Sequence, residues 1–229
     1  MTTVKRTVTS HFDSSRLNEE GFVFLSEFYP DVSSHIIAGM LGRTIKIPTV
    51  PTVQDIRPRR KETTPSNIYS GNYGLDAFPF HTDLAHWYLP PRYMLLRCIR
   101  PAPNVFTALL HHDSALAGMN SHTIHRALYR PRRKLNGHLS LLRLIQPTPI
   151  SSLFRWDSLF LKAVNEEATE VLNHFSSIHV ENMGAHIVFN RQGDTLLVDN
   201  WTTLHGRSAV PDEGLCRAIE RVYLEEVKI

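Results

Sequence analysis

From residue 92 onward the chain is a succession of short apolar or alternating runs: "RYMLLRCI" (92–99), "VFTALL" (105–110), "LSLLRLI" (139–145), "AHIVFN" (185–190), "DTLLVDN" (194–200) and "CRAIERVYLEEV" (216–227), separated by Pro, Gly, Asn and Asp. Runs of this length and pattern read as strands. Many short strands can bury their apolar faces only against one another, so the pattern predicts a mainly β fold with peripheral helices (α+β), a β-sandwich or jelly-roll barrel with an open mouth. Two helical interruptions are expected. One covers 113–129 in two pieces, with Ser121 as a cap and an end at Pro131; the other covers 165–177, where Ala168, Val171, Leu172 and Phe175 repeat at i, i+3, i+4, i+7. Upstream, a helix at 14–20, a strand at 21–28 and a helix at 33–42 lead through Gly42 into "RTIKI". Residues 48–65, with four prolines and a basic run at 57–61, read as an irregular loop.

At 229 residues the chain suits one well-buried core, and a single domain over 1–229 is expected. With 42% hydrophobic and 21% charged residues it should fold rather than remain disordered. A net charge of +3 is too small to demand a polyanionic partner. The basic clusters at 57–61 and 130–134 are not interleaved with aromatics and are bounded by proline, so they read as solvated loops and no nucleic-acid partner is expected. The two cysteines, Cys98 and Cys216, lie far apart in expected strands and read as packing residues in a reducing compartment. Residues 1–13 carry no apolar h-region, and no run approaches the roughly 18 apolar residues of a membrane span, so a cytoplasmic protein without a membrane partner is expected.

The segment "FPFHTDLAHW" (78–87), with Gly74 upstream, places His81 and Asp83 two positions apart, on one face of an extended strand. An imidazole and a carboxylate aimed at one point suggest a metal, but two ligands are too few to hold one. His205, in "LLVDNWTTLHGRSAV" (196–210), follows a β-like run and is expected at a strand end or turn near the barrel rim. Two histidines and one carboxylate on a rigid β scaffold form the facial set of non-haem ferrous iron sites, which leaves open positions for substrates. His81, Asp83 and His205 are therefore the candidate ligands, although a His-x-Asp pair often arises by chance. The adjacent His111 and His112 would face opposite ways on a strand and could not chelate together. His122 and His125 could share a helix face but lack an acidic companion. All four read as structural.

Arg217 and Arg221 lie four apart in the last apolar run, hence on one face of a strand. A guanidinium in a half-buried strand is costly unless it meets an anion, and its planar fork suits a carboxylate. A dicarboxylate cosubstrate is the natural partner.

Taken in order, "FHTD", "LLVDNWTTLHGRSAV" and "RAIER" resemble the taurine dioxygenase and clavaminate synthase-like family of Fe(II)- and 2-oxoglutarate-dependent dioxygenases, over about residues 67–227. The resemblance implies a distorted double-stranded β-helix, or jelly roll. It implies that His81, Asp83 and His205 bind Fe(II), that Arg217 pairs with the distal carboxylate of 2-oxoglutarate, and that Arg221 lies near the keto-acid end. Thr107 fits a threonine that bonds the same distal carboxylate, although Asn104, Val105 and Phe106 stand where relatives usually carry a glycine pair. The chain is also short for the family, which implies trimmed insertions and a smaller or more open substrate pocket. The implied reaction couples O2 and decarboxylation of 2-oxoglutarate to succinate with oxidation of a C–H bond. An aspartate at the carboxylate position favours hydroxylation or desaturation over halogenation. Segments 66–80 and 84–93 would flank the mouth, where Asn67, Tyr69, Ser70, Tyr73, His86, Trp87 and Arg207 offer polar and aromatic contacts to a small polar molecule such as an amino acid or derivative. Trp87 equally reads as rim packing, and Arg207 as a brace for the loop after His205. Two other readings stand beside this one: a non-catalytic jelly-roll domain that binds a metal or small acid, and a cupin-type metalloenzyme that needs no 2-oxoglutarate. The sequence leaves the oligomeric state unknown.

Overall fold

The structure is a computed structural model describing residues 14–48, 50–135 and 137–228. The N-terminal stretch 1–13, read above for the absence of a leader, lies outside the described residues. The strands are β1 (Phe22–Leu25), β2 (Gly42–Thr44), β3 (Gln54–Ile56), β4 (Phe78–His81), β5 (Tyr93–Arg100), β6 (Phe106–His111), β7 (Leu128–Pro131), β8 (Leu142–Arg143), β9 (Ile145–Pro147), β10 (Ser152–Phe154), β11 (Leu161–Ala163), β12 (Ala185–Val188), β13 (Thr195–Asp199), β14 (Thr203–Arg207) and β15 (Ala218–Val227). The helices are α1 (Ser14–Glu20), α2 (Ser34–Leu41), α3 (Tyr69–Tyr73), α4 (His112–Ala115), α5 (Ser121–Arg126) and α6 (Glu166–Ser176). The protein is thus mainly β with short helices, and no helix among the described residues is long and apolar enough to cross a membrane.

Two antiparallel sheets organise the chain. One runs β1-β13-β5-β15-β2, with β3 also paired to β15; the other runs β12-β6-β14-β4. The period-2 alternation of side chains decides what each face meets. On β5, Met94, Leu96 and Cys98 point into a core shared with Leu109 of β6, Ile187 of β12 and Phe189, so this core lies between the sheets. Leu95 points the other way, into a core closed by Leu17 of α1 and by Ile37, Ala38 and Leu41 of α2. The outer face of the smaller sheet contributes Phe80, Ala108, Leu110 and Leu204 to a third core with Trp156 and with Val171 and Phe175 of α6.

Several expectations on this architecture need correction. The helix expected through Tyr129 stops at Arg126; Asn120 rather than Ser121 caps α5, and Pro131 ends strand β7. Asn165 draws the chain into a strand there, because its Oδ1 accepts from Leu128 N–H (3.0 Å) while its Nδ2 donates to the Arg126 carbonyl (2.8 Å). The single strand expected over 139–145 is two short strands, since Leu144 pairs instead with the Ala127 carbonyl and Arg155. The 48–65 loop contains β3, recruited by β15. Cys98 is buried as expected, but Cys216 is exposed, in the turn before β15; both are free thiols. The basic run at 57–61 is exposed apart from Pro58, as expected, with Arg57 and Arg59 lining the cavity described below, whereas Arg130 belongs to β7 rather than to a loop.

Arg97 shows how the larger sheet holds its edge loop. Its side chain is buried, with Nη1 donating to the Phe28 and Gly193 carbonyls and to Thr195 Oγ1, and Nη2 donating to the Tyr29 and Val32 carbonyls, at 2.6–3.1 Å. That loop carries positive φ at Glu27 (48°) and Tyr29 (46°), conformations that persist only under such constraint. Arg97→Met should therefore strand several buried carbonyls and lower unfolding free energy by about 3 kcal/mol, read as a drop in urea midpoint at unchanged m-value.

Candidate functional site

The antiparallel pairing of β4 with β14 sets His81 directly opposite His205, and the two rings lie 4.3 Å apart between centroids. His205 is therefore in the body of a strand and buried, not at a turn on the rim. Gly206 next to it is dictated by close approach, since a Cβ there would stand 2.7 Å from the Phe78 carbonyl oxygen. Asp83 lies beyond the end of β4. Its side chain still turns toward His81 because Thr82 is gripped from the other side by Trp156, whose carbonyl accepts from Thr82 N–H (2.8 Å). The Asn200 side chain fixes the Asp83 backbone, accepting from its N–H (2.7 Å) and donating to its carbonyl (3.0 Å). Leu84, at φ 55°, then bends the chain away.

The Asp83 carboxylate splits its duties. Oδ1 lies 3.8 Å from His81 Nε2 and 3.7 Å from His205 Nε2. Oδ2 accepts from Arg221 Nη1 (2.7 Å) and from the Tyr223 hydroxyl (2.9 Å). Burial alone would raise the Asp83 pKa, but Arg221 and the two imidazoles overcome it and hold the carboxyl well below its usual range. Burial first, and then neighbouring His205, push His81 down to about 3, so the ring is neutral at physiological pH. His81 Nδ1 lies 2.9 Å from the Pro79 carbonyl, which assigns the ring proton to Nδ1 and leaves the Nε2 lone pair facing Oδ1. Two imidazoles and a carboxylate thus offer one ligand atom each within 4.8 Å of one another, all buried. This donor set suits ferrous iron or another late divalent ion.

On β15 alternate residues from Ile219 face inward, and Arg217, just before the strand, joins them. Arg217, Ile219, Arg221 and Tyr223 all line one cavity of about 470 Å³ with His81, Asp83, His205 and Thr107. The two arginines differ sharply. Arg221 is neutralised by Asp83 and also donates to Gln54 Oε1 (2.8 Å). Arg217 makes one side-chain bond, to Thr107 Oγ1 at 3.3 Å, and no carboxylate pairs with it among the described residues. Its Nε, like that of Arg221, is buried with no hydrogen-bond partner among the described residues. Burial lowers its pKa to about 10, which still leaves it charged at neutral pH. An unpaired buried guanidinium is costly, and an anion occupying the cavity would relieve it.

The other residues singled out from sequence divide. Tyr69 stacks on the His81 ring (4.2 Å between centroids), and Tyr69, Ser70, His86 and Arg207 line the cavity. Asn67 is exposed and off the cavity wall. Tyr73 packs behind Tyr69 and Phe78, and Trp87 packs against the inter-sheet core, so neither reaches the cavity. Arg207 behaves as a brace: it lies 3.8 Å over the Phe78 ring and donates to the Gly74 (3.1 Å) and Asp76 (2.6 Å) carbonyls. His111 and His112 do not face apart. The chain turns from β6 into α4 between them, and with Asp113 they form a second cluster of potential ligands.

Sequence reasoning missed three contributors. Tyr223 could have been found by continuing the even spacing from Arg217 and Arg221. Gln54 and Asp157 carried no signal. Asp157 is buried in the cavity wall, its Oδ1 accepting from the Leu159 (2.7 Å) and Phe160 (2.9 Å) N–H groups, with the Tyr69 phenol beside it. Burial raises its pKa to about 7 against the pull of those bonds.

No family model and no curated protein matches the chain. Solved structures do. An asparagine oxygenase in complex with Fe(II), 3-hydroxyasparagine and succinate superposes with a TM-score of 0.59 at 20% identity, over 76% of this chain and 56% of that one. The non-haem iron oxygenase OrfP, bound to Fe, succinate and 3-hydroxyarginine, gives 0.58 at 20% identity, over 76% and 57%. The PvcB protein from Pseudomonas aeruginosa gives 0.65 at 17% identity, over 92% and 78%. The chain spans a little over half the length of the first two. What these likenesses establish is the fold: this chain is built as those oxygenases are.

Proposed function

We propose that the chain is an Fe(II)- and 2-oxoglutarate-dependent oxygenase with a jelly-roll core, acting on a small polar molecule that carries an amine, an amino acid or close derivative. The observation that carries this reading is Arg217, a buried cation without a carboxylate, in the same cavity as the His81, Asp83 and His205 donor set. His81, Asp83 and His205 would hold the iron, which when bound supplies O2 activation coupled to decarboxylation of the keto acid. Arg217 and Thr107 would take the distal carboxylate of 2-oxoglutarate. Arg221 and Tyr223 would keep Asp83 ionised and aimed, and Tyr69 would cover the His81 ring. The iron-, succinate- and 2-oxoglutarate-bound structures of the same fold support this assignment of roles.

Asp157 supports the choice of an amine. It is the buried acid of the cavity wall with no cationic partner among the described residues, and an ammonium entering the cavity would stabilise its ionised form. The hydroxylated amino acids bound to the asparagine oxygenase and OrfP agree with that choice. Ser70, His86 and Arg207 complete the proposed substrate walls. We read the protein as a single catalytic unit.

Anaerobic addition of Fe(II) and then 2-oxoglutarate should develop the weak visible charge-transfer band of a chelated keto acid; its absence in the intact chain would remove the proposal. Arg217→Met should keep Fe(II) binding but weaken 2-oxoglutarate by about 3 kcal/mol, or ~100-fold, read as KM for 2-oxoglutarate in succinate release.

Asp157 gives a pH signature. The unfolded chain releases this proton near pH 3.8 and the folded chain holds it to about 7, so the site's stabilising proton is lost as pH rises through that window. In metal-free protein, Asp157→Asn should match wild type in Tm near pH 4 and exceed it increasingly up to pH 7. Amine substrates should bind wild type more tightly as pH rises through 7, and Asp157→Asn should lose that dependence.

A further inference from the structure

Strand β6 joins the cavity to a second group of ligands. Thr107, near its start, faces Arg217, whereas His111, its last residue, pairs with Thr203 of β14, two residues before His205. At His111 the chain leaves the strand and enters α4, and this change of direction brings consecutive side chains together. His111 Nδ1 lies 3.5 Å from Asp113 Oδ2, and His112 Nε2 lies 3.4 Å from Asp113 Oδ1. The three donor atoms fall within 4.8 Å of one another, and the imidazole centroids are 4.6 Å apart. With metal–ligand bonds of about 2.1 Å, the edge of a tetrahedron is roughly 3.4 Å, so these separations need little change to enclose an ion.

The orientation of His112 points the same way. Its Nδ1 lies 3.0 Å from the Thr202 carbonyl and its ring stacks on Phe154 (5.2 Å, 23°), so the proton belongs on Nδ1 and the Nε2 lone pair is aimed at Asp113. A backbone carbonyl holding the far nitrogen is the usual support of a metal-binding histidine. His111 receives only a long contact from Asp113 N–H, 3.4 Å, which a metal would displace at small cost. Asp113 is 79% exposed, leaving a fourth position open to water.

We propose that His111, His112 and Asp113 form a second metal site, distinct from the cavity, that takes a zinc-class divalent ion through two imidazoles, one carboxylate and water. Because Thr202 and Thr203 hold this site against β14, an ion there also braces the strand that carries His205.

The test is zinc stoichiometry of the full chain by equilibrium dialysis at micromolar free zinc, with metal content measured per chain. Asp113→Ala, whose side chain is largely exposed, is the variant least able to disturb folding; His112→Ala is the second, and circular dichroism checks both. Each should bind one zinc fewer than wild type, with zinc affinity at the lost site at least 10-fold weaker. Cobalt substitution should show four-coordinate visible bands in wild type that both variants lose. The outcome is separable from the oxygenase reading: if the cavity held no metal, wild type would bind one zinc and the variants none, which still supports this site. Equal stoichiometry and equal cobalt spectra in wild type and both variants would overturn it.

Discussion

The Asp83 carboxylate joins the two sheets. Its Oδ1 faces imidazoles from β4 and β14 of the smaller sheet, while its Oδ2 is held by Arg221 and Tyr223 from β15 of the larger one. A buried carboxylate is tolerable only when its charge is matched and its lone pairs are satisfied. Here one guanidinium and one phenol accomplish that on a single oxygen, so the other stays available. The arrangement orders the site before any ligand arrives, because the carboxylate cannot rotate toward solvent without abandoning Arg221. It also explains the investment around Asp83, from the Asn200 clamp on its backbone to the left-handed turn at Leu84.

A second arginine, just before the same strand, has no such counter-charge among the described residues. Arg217, just before β15, and Arg221 within it line the same cavity, but among the described residues only Arg221 of the two has a carboxylate within reach. Position along the strand makes the difference: Arg221 sits across from the end of β4, and Arg217 sits deeper, between Thr107 and Phe189. Neighbouring Cys98 offers no compensation for the guanidinium, since burial raises its thiol to about 11. A fixed cation at one end of the cavity, with two imidazoles and an Arg221-paired carboxylate at the other, is the arrangement on which the proposed binding of a small acid rests.

Much of the architecture was legible because period-2 patterning is local. β5, β6, β12, β13 and β15 lie where alternation and apolar runs put them, and α6 begins at the Asn165 cap. Where local pattern misled, a partner distant in sequence had intervened. β7 replaced the end of a helix because Asn165 and the β11 strand capture residues 128–131, and β3 formed in a proline-rich loop because β15 presented a free edge. His111 and His112 were misread for a related reason, since a strand was assumed to continue through a position where it gives way to a helix.

The amino-acid sequence by itself determined the donor types and their parity: His81 with Asp83, Arg217 with Arg221, and a distant histidine beside a glycine. Side-chain chemistry and strand periodicity are written residue by residue, so these survive without knowledge of the fold. Only the tertiary structure decided that His205 stands opposite His81, that Arg221 pairs with Asp83 while Arg217 has no carboxylate partner among the described residues, that Tyr223 and Asp157 enter the cavity, and that Asn67, Tyr73 and Trp87 do not. Those outcomes depend on the register between strands up to 140 residues apart and on which face each loop turns inward, and both are settled by burial and pairing energies summed over the whole molecule.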